Sequence, residues 1–585
     1  MRRANVNSMG KRFLSVLLAM LMLFVAPFAV FAEDGNNGDP AVGVTNNTNT
    51  QEGDALTPNS NNASETSVVI DNASFPDANF RAFVSAYDTT KADGTSGADG
   101  VLSATELSAV KEMDCSSKSI ANLKGIEYFT SLECLYCGDN SLTSLDVSKN
   151  IALNTLACED NALTSLDISA NTKLKSLNCQ NNNLTTLNTN GCIVLGLLRC
   201  DNNEITTLNV STNTKLEYLF CDSNKLESLN VENNTLLQQL RCSDNALTTL
   251  NLSKNTALNT LNCSDNKLTT LNLSTNTALT DLRCSNNALT SLDVGGNNKL
   301  EKLFCYDNSI TALDLSDNPA LSILSCFNNA LTKLDVSGKK DLFFLSCDGN
   351  AITTLNVSGD KALEILSCYD NALTTLDLST LEGLQNLFCN GNKLTSLDVS
   401  SNKELTYINC ADNALTALDV SSNAKLTCLL CSGNKLTALD LSQNANLREM
   451  YCNDNALTSL DLSANTRLDK IECADNTYKI TPVNGKYNLK NLPGNFDVSK
   501  ASNWKGAKVE NGVLIIDKNA DKVTYTYNCG NGKTTEFTLL IDKKDAKSPK
   551  TGDSDSSNLA LWFALLLVCG AVTGATAIRG RNNDR

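Results

Sequence analysis

The sequence predicts an α/β-type solenoid dominated by short parallel β-strands, closed by a helical cap at its N-terminal end and a small β cap at its C-terminal end. Three observations carry this expectation. A cysteine recurs every 21 residues from Cys137 to Cys473, seventeen times in all. An asparagine stands three places after each of them, from Asn140 to Asn476. Leucines keep their own fixed spacing between these columns, as in Leu153, Leu156, Leu163 and Leu166. A chain that repeats one local pattern at such a period stacks equivalent coils, each burying its apolar edge against its neighbours.

Within one coil, the alternation through Leu156 and Cys158 predicts a short strand, and Leu166 to Ile168 predicts a second extended segment. Each coil is then two edges joined by tight turns. The asparagine three places after the cysteine has an amide able to satisfy backbone groups that a turn leaves unpaired, so its column is structural. Counting an irregular coil at Cys115, the strand spacing predicts a solenoid about 85 Å long. Each coil holds two copies of the pattern L-x-x-L-x-(C or V/I/L)-x-x-N, as from Leu153 to Asn161 and from Leu163 to Asn171. This resembles the leucine-rich repeat family, with cysteine in one apolar place, and the resemblance implies an arc whose strand face is concave and commonly binds partners. Thr189 and Cys192 interrupt one coil, and Lys339, Asp360 and Leu381 replace the second asparagine.

The chain has 23 cysteines, but the periodic ones are expected to be free. Parallel in-register neighbours hold Cβ atoms about 4.8 Å apart, whereas a disulfide needs about 3.8 Å. They form a reduced, buried ladder of small apolar side chains. Cys134 and Cys137 make a C-x-x-C, whose sulfurs should face opposite sides of a strand.

Both ends of the chain predict export. Residues 1–32 read as a signal peptide, with Arg2, Arg3, Lys11 and Arg12 before an apolar run and cleavage between Ala32 and Glu33. Residues 33–68 are a polar linker. At the other end a spacer and motif occupy 543–557, an apolar membrane-length span 558–578, and a basic tail 579–585. The motif Ser548-Pro549-Lys550-Thr551-Gly552, followed by that span and tail, resembles a sortase cell-wall sorting signal of the LPxTG kind, with Ser548 where the family has leucine. That resemblance implies cleavage between Thr551 and Gly552 and attachment of Thr551 to peptidoglycan.

Residues 69–114 form the N-terminal cap. Phe75 to Tyr87 has helical apolar spacing, and Ser103 with Glu106 forms a capping-box pattern opening a second helix. The loop between them resembles a degenerate EF-hand, which implies calcium on Asp88, Asp93, Asp99 and Glu106. A plain helical cap over the solenoid's open end fits the same residues. Residues 115–476 are the repeats. Residues 477–542, with alternating runs at 513–516, 523–527 and 536–541 and Asn-Gly turns, predict a small antiparallel module covering the far end.

Function must lie in what the coils display. The positions three before, one before and one after each cysteine face outward. From the coil of Cys305 to that of Cys410 they carry Phe304, Tyr306, Ile323, Phe327, Phe344, Ile365, Tyr369, Phe388 and Tyr407. Left in water, such a patch is a partner surface; packed together, it is cross-strand support. A second column, Asp146, Asp167, Asn188 and onward to Asp461, is Asp or Asn throughout, through backbone bonding or calcium bridging. The chain has no histidine and no nucleophile elbow, phosphate loop or zinc motif, so no enzyme is expected. A net charge of −16 disfavours nucleic acid and anionic lipid. The layout of leader, cap, repeats and wall anchor is internalin-like, which implies a secreted, wall-anchored surface protein. Its partner would be an extracellular protein or glycan, with membrane contact only through the sorting segment. The alternative is a passive spacer.

Overall fold

The computed structural model describes residues 67–542. Eighteen three-residue strands pair into one parallel sheet, beginning at Glu112–Asp114 and ending at Lys470–Glu472. Each strand ends one residue before its cysteine, as at Thr155–Ala157 before Cys158. Pairing is strictly in register, Leu156 opposite Leu177 and so on. The ladder continues through the cysteine, whose amide donates to the next coil, Cys158 N to Asn178 O at 2.8 Å. Among the described residues the two end strands each pair with one neighbour.

The core is the stacked leucine and cysteine columns, almost wholly buried from Leu135 and Cys137 to Met450 and Cys452. Every described cysteine is a free thiol. Burial raises the thiol pKa along the ladder from Cys137 to Cys452, to about 12 at Cys263 and Cys305, so these thiols are protonated and inert. Cys134 is half-buried where Cys137 is sealed, consistent with opposite faces.

Two turns fix the coil. The residue after next from each cysteine is left-handed: Asp160 has φ 53°, Asn181 φ 53° and Gly349 φ 58°. Aspartate, asparagine and glycine adopt this region most readily, which accounts for their hold on that position. The asparagine that follows locks the turn to the coil before. Asn161 Nδ2 donates to the carbonyls of Cys137, Cys158 and Glu159 at 3.0, 3.2 and 3.0 Å, and its Oδ1 accepts from Leu142 N at 2.9 Å. The same set recurs along the column.

The second edge is more loosely laddered. Leu187–Asn188 pairs with Leu208–Asn209 and Lys333–Asp335 with Thr354–Asn356; elsewhere the segment is extended with isolated bridges. In its Asp/Asn column, Asp146, Asp167 and Asp461 accept from the amide two residues on at 2.9, 2.9 and 3.0 Å. Of the two explanations for that column, these bonds support the backbone one. They hold the Asp167 pKa below its ordinary value.

The second asparagine column donates to carbonyls 24 and 21 residues earlier, Asn171 Nδ2 to Val147 O at 3.1 Å and Asn150 O at 2.9 Å. Its interruptions differ in chemistry. Cys192 substitutes its thiol, with Sγ 3.7 and 3.6 Å from the equivalent carbonyls of Ile168 and Asn171. Lys339 substitutes its ammonium, donating to Leu315 O at 2.8 Å and Asn318 O at 3.4 Å. Asp360 has no hydrogen to give when ionised. One oxygen accepts from Lys339 N at 2.8 Å and Oδ2 is buried without a partner. Burial raises its pKa to about 7, against the opposing pull of the Lys339 amide and ammonium.

Helix α1, Ala78–Val84, is capped by Asp77, which also binds the amides of Ala121 and Asn122 at 2.8 and 3.2 Å, tying the cap to the first coil. Helix α2, Ala104–Ala109, carries the expected capping box. Phe75, Phe80, Val84 and Leu102 close this end. At the far end, Lys522–Gly530 and Lys533–Ile541 form a hairpin. The module is not wholly antiparallel, because Asn476–Ile480 leaves the last coil to pair in parallel with Lys533–Ile541. Tyr525 Oη donates to Thr458 O at 2.5 Å and Thr535 Oγ1 to Cys473 O at 3.1 Å, sealing the last coils. The expected leader and sorting segments, with Ala32, Glu33, Thr551, Gly552 and the 558–578 span, lie outside the described residues. Among those described, no helix is long and apolar enough to cross a membrane.

Asn287→Ala removes donors to Cys263, Cys284 and Ser285 carbonyls and the acceptor for Leu268 N. It should cost about 2–3 kcal/mol, measured as a lower urea midpoint. Asp360→Asn should raise the melting temperature, and by more at pH 8 than at pH 4. The native carboxyl keeps, up to about pH 7, a proton that the unfolded chain loses from 3.8 upward; stability therefore falls as pH rises through that window. A pH-independent difference between variant and parent would refute this account.

Candidate binding face

Three side chains of every coil point outward from the sheet, at the positions three before, one before and one after the cysteine. In-register pairing stacks them into columns. From the coil of Cys200 to that of Cys242 the column one before the cysteine alternates cation and ring. Arg199 and Arg241 flank Phe220 in register, their guanidinium carbons 5.4 and 5.7 Å from its ring centre. Arg241 Nε lies 2.8 Å from Asp222 Oδ2. Farther along, Arg283 pairs with Asp281 at 3.1 Å and stands 5.0 Å from the Phe304 ring centre. Burial raises the pKa of Asp201, although Arg199 opposes it. These arginines carry no apolar signal of their own, and what marks them in the sequence is the column they share with Phe220 and Phe304.

The aromatic stretch departs from the open patch expected of it. Ile323, Phe344, Ile365, Phe388 and Tyr407 are buried, Phe344 to 2% and Phe388 to 1% exposure, in a second apolar cluster that also takes in Leu430 and Tyr451. Phe304, Tyr306, Phe327 and Tyr369 are half-exposed. The cause is the size pattern across the face. Ile323, Phe344 and Ile365 lie beside Ser325, Ser346 and Ser367, all three serines fully buried, so large side chains in one column cover small ones in the next. Rings on neighbouring strands cover one another as well: Tyr306 stacks on Phe327 at 4.4 Å and 6°, and Phe388 meets Tyr407 at 4.9 Å. Of the nine residues, five are therefore interior and four form a rim.

Asp348 sits within this stretch at 2% exposure. Its column neighbours are Phe327 and Tyr369. It accepts from Ser346 Oγ at 2.8 Å and from Ser367 Oγ. Burial raises its pKa to about 6 against those two bonds, and Asp370 adds a like charge. Nothing in the residue pattern marks its burial, since the position one after the cysteine holds small, polar and aromatic residues alike, from Ser285 to Tyr306 and Ala411.

The acidic residues of the N-terminal loop bind backbone. Asp88 accepts from the amides of Asp99 and Gly100 at 3.1 and 2.7 Å. Glu106 accepts from those of Thr89, Thr90 and Ser103 at 2.7, 2.8 and 2.8 Å. Asp99 takes Ala92 and Val101, at 2.7 and 3.0 Å, and Asp93 takes Thr95 at 2.9 Å. Burial works against ionisation of Glu106, yet its hydrogen bonds prevail and lower the pKa to about 2. The four carboxylates order the loop individually. Among the described residues no group of three or more acidic or cysteine side chains is placed to hold a metal ion.

No protein-family model matches the chain. Over 76 residues it is 38% identical to Internalin J of Listeria monocytogenes serotype 4b, a match spanning 13% of this chain and 8% of that protein. Its structure is similar to the functional domain of InlJ from Listeria monocytogenes, which includes a cysteine ladder. The TM-score is 0.57 at 29% identity, covering 82% of this chain and 99% of that one. A leucine-rich repeat protein of Leptospira interrogans is similar at TM-score 0.50 and 26% identity, over 60% of this chain and 92% of that one. The solenoid, its buried thiol ladder and these likenesses show a leucine-rich repeat fold similar to that of InlJ.

Proposed function

We propose that the chain is an extracellular, cell-wall-anchored binding protein whose strand face engages a protein or glycan outside the cell. The observation that carries this is the gathering of charged and aromatic residues between Arg199 and Tyr407, interrupted at the coil of Cys263, on a face that the repeat otherwise fills with small polar groups. Such a gathering is unnecessary for stacking coils, because the leucine, cysteine and asparagine columns already do that. Half-exposed rings beside arginine and aspartate are the composition found at the centre of recognition surfaces. Export by the leader before Glu33 and attachment at Thr551 would place that face outside the cell. A second role, as a passive spacer, is favoured by the burial of Phe344 and Phe388, which stiffens the solenoid.

Binding to a panel of matrix proteins, mucins and glycans separates the two. Phe344→Ser should unfold the local coils, costing more than about 3 kcal/mol, and so cannot test binding. Phe327→Ser and Tyr369→Ser should keep the melting temperature within a few degrees and lose the ligand. A panel without a ligand, or rim variants that bind like the parent, would leave the spacer.

A further inference from the structure

Asp348 is a buried carboxylate whose hydrogen bonds come from neutral hydroxyls. The groups around it are Ser346 and Ser367 beneath, and Phe327 and Tyr369 on either side in its column. The charge acting on it is Asp370, of the same sign. Holding a carboxylate away from water without a cation is costly. In the same stretch Ser325 Oγ is buried without a partner. The cover over this spot is the rim of the apolar cluster, since Phe327 and Tyr369 are half-exposed. Aromatic faces attract ammonium and guanidinium groups, and the chain is acidic at net charge −16.

We propose that Asp348, with the Phe327 and Tyr369 rings, forms a subsite for a cationic side chain, an arginine or lysine of an extracellular protein partner. It rests on the strand face being the binding face. The cation lies against the rings, and the carboxylate supplies its counter-charge from below. A neutral glycan would gain less here, because both serine hydroxyls are already committed to Asp348.

The test is calorimetric titration of the full chain with a peptide of alternating arginine and glycine, beside the same peptide with citrulline for arginine and a chitooligosaccharide. The arginine peptide should bind at least tenfold more tightly than the citrulline peptide. Asp348→Asn, which keeps an acceptor for one serine hydroxyl and offers an amide donor to the other, should lose that tenfold preference with the melting temperature kept within a few degrees. Asp398→Asn, on the exposed column of the other edge, should keep it. Affinity for the arginine peptide should fall as pH drops through about 6, when Asp348 takes up its proton. Equal losses in the Asp348 and Asp398 variants would mean general charge attraction and overturn the proposal. So would a harmless Asp348→Asn, or a chitooligosaccharide bound regardless of residue 348. In those last two cases, loss of binding in Phe327→Ser would still uphold the face as the binding site, whereas no effect from any variant would remove both.

Discussion

Everything in this molecule depends on the asparagine three residues after each cysteine. A coil of 21 residues has two reversals and too little regular structure to satisfy its own backbone. One amide per coil repairs this by binding three carbonyls and one N–H across consecutive coils, as Asn161 does. The left-handed residue just before it then follows, since only that turn aims the amide back at the preceding coil. Register follows too. With every coil tied to the one before at equivalent atoms, each strand meets its neighbour without slip, and the outward columns become continuous.

Continuity explains how the thiols behave. A side chain that must repeat about every 4.8 Å inside a narrow core has to be small, apolar and tolerant of close like neighbours. Cysteine meets all three needs, and burial suppresses the ionisation that would make the column reactive. The second asparagine column shows how far the rule bends. A thiol at Cys192 and an ammonium at Lys339 both reach the carbonyls that the amide would, because each carries a donor. The carboxylate at Asp360 does not, unless it keeps its proton.

Much of this was legible in the residues. The period, the two edges, the structural asparagines, the free thiols, the capping box at Ser103 and the hairpin turn near Asn531 all follow from local chemistry that repeats or matches a known turn. What escaped notice depends on contacts between coils. Phe344 looks exposed by alternation, yet it is interior because Ser325, Ser346 and Ser367 leave room beneath its column. At Asp88 and Glu106 the resemblance to a calcium loop and the plain cap share the same residues, and what the fold adds is that their oxygens accept from loop amides. The parallel pairing of Asn476–Ile480 reverses an expectation drawn from hairpin signals, because the chain leaves the last coil in the direction of the solenoid strands.

The strand face therefore has two physical regimes. Between Arg199 and Arg283 arginines at the surface meet acidic side chains, as Arg241 meets the buried Asp222, and guanidinium groups share rings with their neighbours. Between Phe304 and Tyr451 an apolar cluster is buried beneath half-exposed rings, and the carboxylate held inside it, Asp348, has neutral bonding partners. The second regime stiffens the solenoid through buried Phe344 and Phe388, but it imposes an electrostatic cost at Asp348. Such costs persist in folded proteins chiefly where another molecule can offset them. That makes the junction of rim rings and buried carboxylate the place on this face where binding would change the protein's own energetics most.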